Sequence, residues 1–157
     1  MWTSLKAAIL ILALAVTANT AAAERRKLVV VVVKGSSLTN ISKDDLKHCF
    51  LGDSVSGGGK TLVPFNAESK TPERAGFDQA VLGMSADEVG RFWTDRRVRG
   101  QGAAPRALPS SAHMQKVVAK FPGAIGYVTA EQLTSELQPV KVDGVAFGDS
   151  GYSIFTE

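Results

Sequence analysis

The chain has few of the residues that most often build metal and thiol centres. Its 157 residues include one cysteine, Cys49, and two histidines, His48 and His113. A single cysteine has no intramolecular disulfide partner, and the three residues do not have the spacing of a zinc site. His48 precedes Cys49 directly and would point about 100° away from it on a helix, so it is poorly placed to activate the thiol. Because Leu46 and Phe50 flank Cys49, we predict a buried, packed thiol and no metal.

A strong excess of one charge is also missing. The chain has 18 basic and 15 acidic residues, a formal net charge of +3 at pH 7. This balance suits a small anionic ligand but lacks the clustered basic field that nucleic acids require, so we expect no nucleic-acid partner. The densest basic group, between Arg91 and Arg99, is typical of a solvated helix face.

A nucleotide cofactor is not indicated either. The segment Gly58-Gly59-Lys60-Thr61 resembles the end of a phosphate-binding P-loop, but the first glycine of that motif would stand at Ser54. The motif would also lie between a helix and a strand, whereas a P-loop connects a strand to a helix. We therefore predict a mobile, hairpin-like connection from Asp53 to Lys60 and no cofactor.

Long apolar runs are confined to the N-terminus. Lys6 precedes an apolar stretch, Ala7 to Val16, and Ala21 to Ala23 supply small residues for cleavage. This pattern predicts a signal peptide over residues 1–23, with a retained anchor as the alternative. No later segment has the roughly 20 apolar residues needed to cross a bilayer. We therefore expect a single domain over 24–157, soluble and periplasmic or secreted, with no membrane span after cleavage.

The remaining pattern predicts an α/β domain. Lys27 to Val33 holds five consecutive valines without alternation, which is typical of a strand buried on both faces, and we place it at the centre of the sheet. Further strands are predicted at 61–65, 124–129 and 140–142, with one edge strand at 152–155. Helix caps are predicted at Ser42, Thr71, Ser85 and either Ser110 or Ser111, starting helices that include 72–82. A short helix at 131–137 and a loop at 99–109 complete the prediction.

One stretch, Glu68 to Phe77, indicates a site. A strand is followed by a polar loop, and Thr71 and Pro72 then fit the N-cap and first position of a helix. The free amides at a helix start can bind an anion. Glu68 and Glu73 place negative charge nearby, so an ordinary capped surface helix is the alternative.

The order of motifs resembles a known family. The five-valine strand, Phe50-Leu51-Gly52, Arg74-Ala75-Gly76-Phe77 and the block Pro122 to Val128 follow one another as in phosphate-binding proteins of ABC transporters. The resemblance, to small single-domain members of the type 2 periplasmic-binding group, spans about 28–142. It implies a three-layer lobe with a mixed, mostly parallel sheet flanked by helices. It also implies oxyanion contacts in a cleft between two such lobes, and the positions carried over are Ser69, Thr71 and Arg74, although the usual Ser-Gly-Thr is absent.

These observations predict an exported, non-enzymatic solute-binding protein that holds phosphate or a related oxyanion weakly, with an ABC transporter or another envelope protein as partner. The predicted contacts are Ser36, Ser37, Ser69, Thr71 and Arg74. Three charge-assisted hydrogen bonds of about 1.5–3 kcal/mol each, less the cost of immobilising the ligand, give millimolar binding or weaker. The alternative is a degenerate module that docks on an envelope protein or sensor without a small ligand. A hydrolase would need a nucleophile, base and orienting group that the sequence does not supply together.

Overall fold

The computed structural model describes residues 24–157, and the predicted signal peptide lies outside them. Four α-helices are described in this part of the chain: α1 (Lys43–Phe50), α2 (Pro72–Phe77), α3 (Ala86–Val98) and α4 (Ser111–Lys120). The strands are β1 (Leu28–Val33), β2 (Asn40–Ile41), β3 (Ser56–Gly57), β4 (Lys60–Thr61), β5 (Val63–Ala67), β6 (Arg106–Leu108), β7 (Ala124–Thr129), β8 (Leu137–Pro139) and β9 (Lys141–Val142). In residues 24–157, no helix combines the length and apolar character needed to span a membrane.

A five-stranded sheet with the order β6-β5-β7-β1-β8 organises the molecule. β5 pairs in parallel with β6 and β7, whereas β1 pairs antiparallel with β7 and β8. Four of the five strands therefore run in one direction and β1 runs in the other. The predicted α/β class with a mixed, mostly parallel sheet is confirmed.

Helices cover both faces of this sheet. On one face, Leu28, Val30 and Val32 pack in a core with residues of α1, α2 and α3, among them Phe50 and Phe77. On the other, Val29 and Val31 pack with α4 and its neighbours, including Met114 and Val118. The alternate residues of β1 supply both cores, which explains its unbroken run of valines. The predicted three-layer arrangement is confirmed.

The burial of β1 was predicted correctly, but its position at the centre of the sheet was not. Leu28 to Val31 have no exposed surface, as the sequence indicates, but the central strand is β7. A valine run reports burial on both faces and carries no information on which neighbour pairs with it. The antiparallel pairing of β1, with Val30 opposite Tyr127, decides where the chain emerges from the sheet.

The helix starts are local features, and the sequence located them correctly. The side chains of Ser42, Thr71 and Ser110 each accept a hydrogen bond from the third following amide. Ser85 and Glu88 form the predicted capping box. The helix predicted at 72–82 is α2 followed by a π-helical segment, Asp78–Leu82, and Gly83 ends it at a φ of +67°.

Other predictions were wrong in segments whose structure depends on pairing with strands distant in sequence. The helix predicted at 131–137 is a 3₁₀ turn, Ala130–Gln132, followed by β8 on the free side of β1. The loop predicted at 99–109 contains β6 beside β5. In contrast, the strand predicted at 140–142 is confirmed as β9, which pairs in parallel with β2. The edge strand predicted at 152–155 is reduced to one bridge between Lys27 and Phe155.

The glycine-rich connection forms a hairpin. β3 and β4 pair antiparallel, and the two residues between them, Gly58 and Gly59, have φ values of +60° and +76°. This conformation favours glycine at both central positions of a tight turn. The hydroxyl of Ser37 donates to the carbonyl of Gly58 at 2.8 Å, so the hairpin is tied to the turn that follows β1.

The C-terminal segment packs across the start of β1 and the side of α2. The Tyr152 hydroxyl donates to the carbonyl of Leu28 at 2.6 Å, and burial raises the pKa of this phenol to about 12. Thr156 is buried and accepts from the amide of Arg26 through its Oγ1. A Cβ built on Gly76 would overlap the carbonyl oxygen of Phe155, so α2 and the segment approach too closely for any side chain at this position.

Candidate functional site

A pocket of about 220 Å³ lies at the carboxyl ends of β5, β6 and β7, and we call it the carboxyl-edge pocket. The N-termini of α2 and α4 both open on it. The lining residues are Ala67, Glu68, Thr71, Glu73, Leu108, Pro109, Ser110, Ser111, Met114, Tyr127, Val128 and Gln132. Carboxyl ends of parallel strands in α/β sheets are where helix N-termini and ligands usually meet.

The first wall is the loop before α2. Thr71 Oγ1 donates to the carbonyl of Glu68 at 2.9 Å and accepts from the amide of Arg74 at 3.2 Å. Lys70 has a φ of +77°, which turns the chain sharply into the helix. In the described part of the chain the amide of Glu73 has no hydrogen-bond acceptor, so it remains available as a donor.

The second wall is the start of α4, which the sequence analysis identified only as a helix cap. Ser110 Oγ accepts from the amide of His113 at 3.3 Å and lies 2.8 Å from Nδ1 of the same residue. Among residues 24–157, nothing accepts from the amide of Ser111. The signal that would have found this wall is a serine pair directly after a strand, but the strand, β6, was predicted as loop.

The floor of the pocket is a fixed hydrogen-bonded group. The Tyr127 hydroxyl accepts from the amide of Ala67 and donates to Asn66 Oδ1, each at 3.1 Å. The Tyr127 ring stacks on Phe77 with centroids 4.0 Å apart. Burial raises the pKa of Tyr127, so the hydroxyl keeps its proton at physiological pH.

Arg74, predicted as a contact, is not among the residues that line the pocket. Its Nε donates to Asp78 Oδ2 at 2.7 Å and its NH1 donates to the carbonyl of Ala67 at 3.1 Å. The two side chains are 13% and 4% exposed. Burial raises the pKa of Asp78 against the opposing effect of Arg74, and Asp78 Oδ1 has no partner within residues 24–157. The guanidinium is therefore committed to a buried ion pair, which the four-residue spacing in sequence would have indicated.

The charge that remains in the carboxyl-edge pocket is negative. Glu68 and Glu73 line it, and Glu73 accepts from Arg26 at 2.9 Å. Among the described residues that line the pocket there is no lysine or arginine. Donors to an anion are thus backbone amides and the hydroxyls of Ser110 and Ser111, with Ser69 exposed on the loop beside them, because the Thr71 hydroxyl already donates to Glu68.

Ser36 and Ser37 lie at the opposite edge of the sheet, so the structure does not bring the five predicted contacts together. They follow β1, which is antiparallel to β5 and β7 and therefore ends where those strands begin. Both serines line a separate cavity of about 260 Å³, which we call the amino-edge pocket.

Cys49 is buried, as predicted, with 1% of its surface exposed. Burial raises the pKa of its thiol to about 12, which leaves it protonated and unreactive. Within residues 24–157, no group of three or more His, Cys, Asp or Glu side chains is arranged to hold a metal ion.

The fold of residues 24–157 is similar to that of part of several solved phosphate-receptor structures. An ABC-type phosphate transport receptor from Vibrio cholerae superposes with a TM-score of 0.66 at 14% identity, covering 84% of this chain and 54% of that one. A putative phosphate ABC transporter substrate-binding protein from Clostridium perfringens, with bound phosphate, gives 0.65 at 18% identity, covering 84% and 53%. PstS from Borrelia burgdorferi gives 0.63 at 15% identity, covering 85% and 55%.

These matches confirm the predicted resemblance at the level of the fold. The chain spans about half the length of the structures it matches. No protein-family model matches the chain, and no curated protein sequence does.

Proposed function

We propose that this chain is an exported, non-enzymatic solute-binding protein that holds phosphate or a related oxyanion weakly in the carboxyl-edge pocket. The observation that carries the proposal is the convergence of two hydroxyl-capped helix N-termini, at Thr71 and Ser110, on one pocket. Amides and hydroxyls at such ends attract negative charge. The shared fold with phosphate-binding proteins supports the same ligand class, and an ABC transporter is the corresponding partner.

The proposed contacts are Ser69, Ser110 and Ser111, together with the free amides of α2 and α4, whereas Thr71 holds the start of α2 in place. Arg74 has the role of a positioning residue, because it joins α2 to the carbonyl of Ala67 at the rim of the pocket. Each helix start contributes about 0.3–1 kcal/mol, and up to about 2 in partly buried geometry. With Glu68 and Glu73 opposing an anion, millimolar affinity is the expected range.

Titration of the ¹⁵N-labelled chain with inorganic phosphate, and separately with sulfate, tests this proposal. Saturable amide shifts are expected at Glu73, Ser111 and their neighbours. Ser110→Ala removes a hydroxyl and a cap, and should weaken binding several-fold. Ser85→Ala is the matched control, because it removes an equivalent cap, of about 1 kcal/mol, from a helix outside the pocket. The absence of shifts at tens of millimolar, or equal weakening in both variants, would contradict the proposal.

The carboxylates that line the pocket offer a second test, in which a substitution should strengthen phosphate binding. Glu68→Gln removes one repulsive charge from the lining, worth about 1 kcal/mol at close range in water, so phosphate should bind about fivefold more tightly. Asp87→Asn makes the same change in net charge at an exposed position on α3, outside both this pocket and the cavity lined by Ser36 and Ser37, and should leave the affinity unchanged. Equal affinities in the two variants would argue against an anion in this pocket.

An interaction module that docks on an envelope protein is the second candidate function. It is favoured by the acidic lining of the pocket and by the internal pairing of Arg74 with Asp78. Under this alternative the chain shows no phosphate response and co-purifies with one envelope protein in a fixed stoichiometry. Glu68→Lys should then abolish co-purification, whereas Glu136→Lys should not.

A further inference from the structure

The amino-edge pocket lies outside the proposed phosphate site and has its own walls. They are the turn after β1, the β3-β4 hairpin and the residues that precede β7. The lining residues are Val32, Val33, Lys34, Gly35, Ser36, Ser37, Gly57, Gly58, Lys60, Leu62, Pro122 and Gly123. Three separate segments of chain thus enclose one cavity of about 260 Å³.

The lining charge of this pocket is positive. Lys34 and Lys60 contribute two ammonium groups, and none of the described lining residues is acidic. Within residues 24–157, neither lysine takes part in an ion pair. Both side chains are exposed, and two unpaired cations that line one cavity raise its positive potential, which favours an anion.

Backbone donors add to the lysines. Gly35 has a φ of +82°, and the turn it forms carries amides at Gly35 and Ser37 that have no acceptor in the described part of the chain. The amide of Ser36, between them, donates to the carbonyl of Val33 at 3.1 Å, so two alternate amides of the turn remain as donors to an anion. The hydroxyl of Ser37 is held by its bond to Gly58, so this part of the turn is fixed before any ligand arrives.

The walls are also closely packed where they meet. A Cβ on Gly58 would lie 2.8 Å from the amide nitrogen of Leu38, and one on Gly123 would lie 2.8 Å from the carbonyl oxygen of Thr61. Both glycines have positive φ values. The hairpin is therefore tightly joined to both neighbouring segments, and a preformed cavity loses less entropy when it binds a ligand.

We propose that the amino-edge pocket is a second anion site, specific for a small phosphomonoester. Lys34, Lys60 and the amides of Gly35 and Ser37 receive the phosphate group. Leu62 and Pro122 offer apolar surface to the organic part. Inorganic phosphate supplies the same charged group without that part and should bind more weakly.

Residue-resolved titration of the full chain with glycerol 3-phosphate tests the assignment, with inorganic phosphate and glycerol as separate arms. Glycerol 3-phosphate should shift the amides of Gly35, Ser37, Gly58 and Gly123 saturably and more tightly than phosphate does. Lys34→Gln together with Lys60→Gln should weaken this binding at least about tenfold. Lys116→Gln together with Lys141→Gln is the control, since both lysines are exposed, lie outside the pocket and remove the same charge.

Absence of shifts at these four amides would overturn the site. Equal weakening in both lysine pairs would reduce it to a general effect of net charge and would also overturn it. Equal affinity for inorganic phosphate and glycerol 3-phosphate would overturn the assignment of a phosphomonoester. The proposed function fails on different evidence, the absence of shifts at Glu73 and Ser111, so the two proposals are judged independently.

Discussion

The pockets at the two edges of the central sheet both contain backbone donors, but the side chains that line them carry opposite charge. At the carboxyl edge, two helix N-termini provide favourable partial charge, but the side chains that line the pocket are acidic, Glu68 and Glu73. At the amino edge, the side chains are basic, Lys34 and Lys60, and the backbone donors come from a turn. The topology therefore places helix N-termini at the carboxyl edge, whereas the side chains that line each pocket set the sign of its electrostatic potential.

The two edges also differ in how they are held together. The carboxyl edge depends on a buried ion pair, Arg74 with Asp78, and on the C-terminal segment packed over Gly76. The amino edge depends on contacts at glycine backbones, such as Gly58 and Gly123. Variants in one set should therefore disturb one edge and leave the amide shifts of the other unchanged.

Breaking the ion pair at the carboxyl edge should have the largest effect. Arg74→Met leaves Asp78 buried without its partner, and the free energy of unfolding should fall by about 3–5 kcal/mol in urea denaturation. Arg74→Met with Asp78→Leu removes both charges and should recover most of that loss. If the double variant is stable and binds phosphate as before, Arg74 contributes only to the stability of the fold; if it is stable and binds more weakly, Arg74 positions the site, and complete loss of binding indicates a direct contact.

Adding a side chain at Gly76 should have the next largest effect. Gly76→Ala drives a methyl group into the carbonyl of Phe155, and displacing the C-terminal segment should cost about 1–3 kcal/mol of unfolding free energy. Gly90→Ala is the control within another helix, where a Cβ meets nothing within 4 Å, and it should stabilise by about 0.5–1 kcal/mol. Effects of the same sign in the two variants would show that the close approach at Gly76 is unimportant.

The smallest expected effect is a pH dependence of the contact between α1 and the segment that leads into the β3-β4 hairpin. His48 Nδ1 lies 2.7 Å from Asp53 Oδ2, and this hydrogen bond raises the pKa of His48 above 6.5. Because the folded pKa is the higher one, its contribution to stability is complete below pH 6.5 and is lost as the pH rises through the folded value. Asp53→Asn should reduce this slope of unfolding free energy against pH. Asp53 leads into the β3-β4 hairpin, so amide shifts with pH should appear there and spare Thr71 and Ser110.

Several parts of the candidate site were predictable because their causes are local. The cap at Thr71 depends on residues 68–74 alone, and the bonds of its hydroxyl are made within that segment. Glu68 and Glu73 were identified from sequence as opposing an anion, and both line the pocket. The ion pair between Arg74 and Asp78 could also be inferred from their four-residue spacing. Such a pair holds the arginine firmly only where both side chains are buried, which the sequence does not show.

The sequence by itself determined the α/β class, the buried valine strand and the helix starts, since these follow from side-chain periodicity and from capping within a few residues. Only the tertiary structure decided that β1 runs against its neighbours, that β6 and β8 join the sheet and that Ser36 and Ser37 lie far from Thr71. Strand direction and pairing depend on hydrogen bonds between segments about a hundred residues apart, such as Leu28 with Thr129. A local sequence pattern indicates which residues are buried, but it does not indicate which other segment of the chain packs against them.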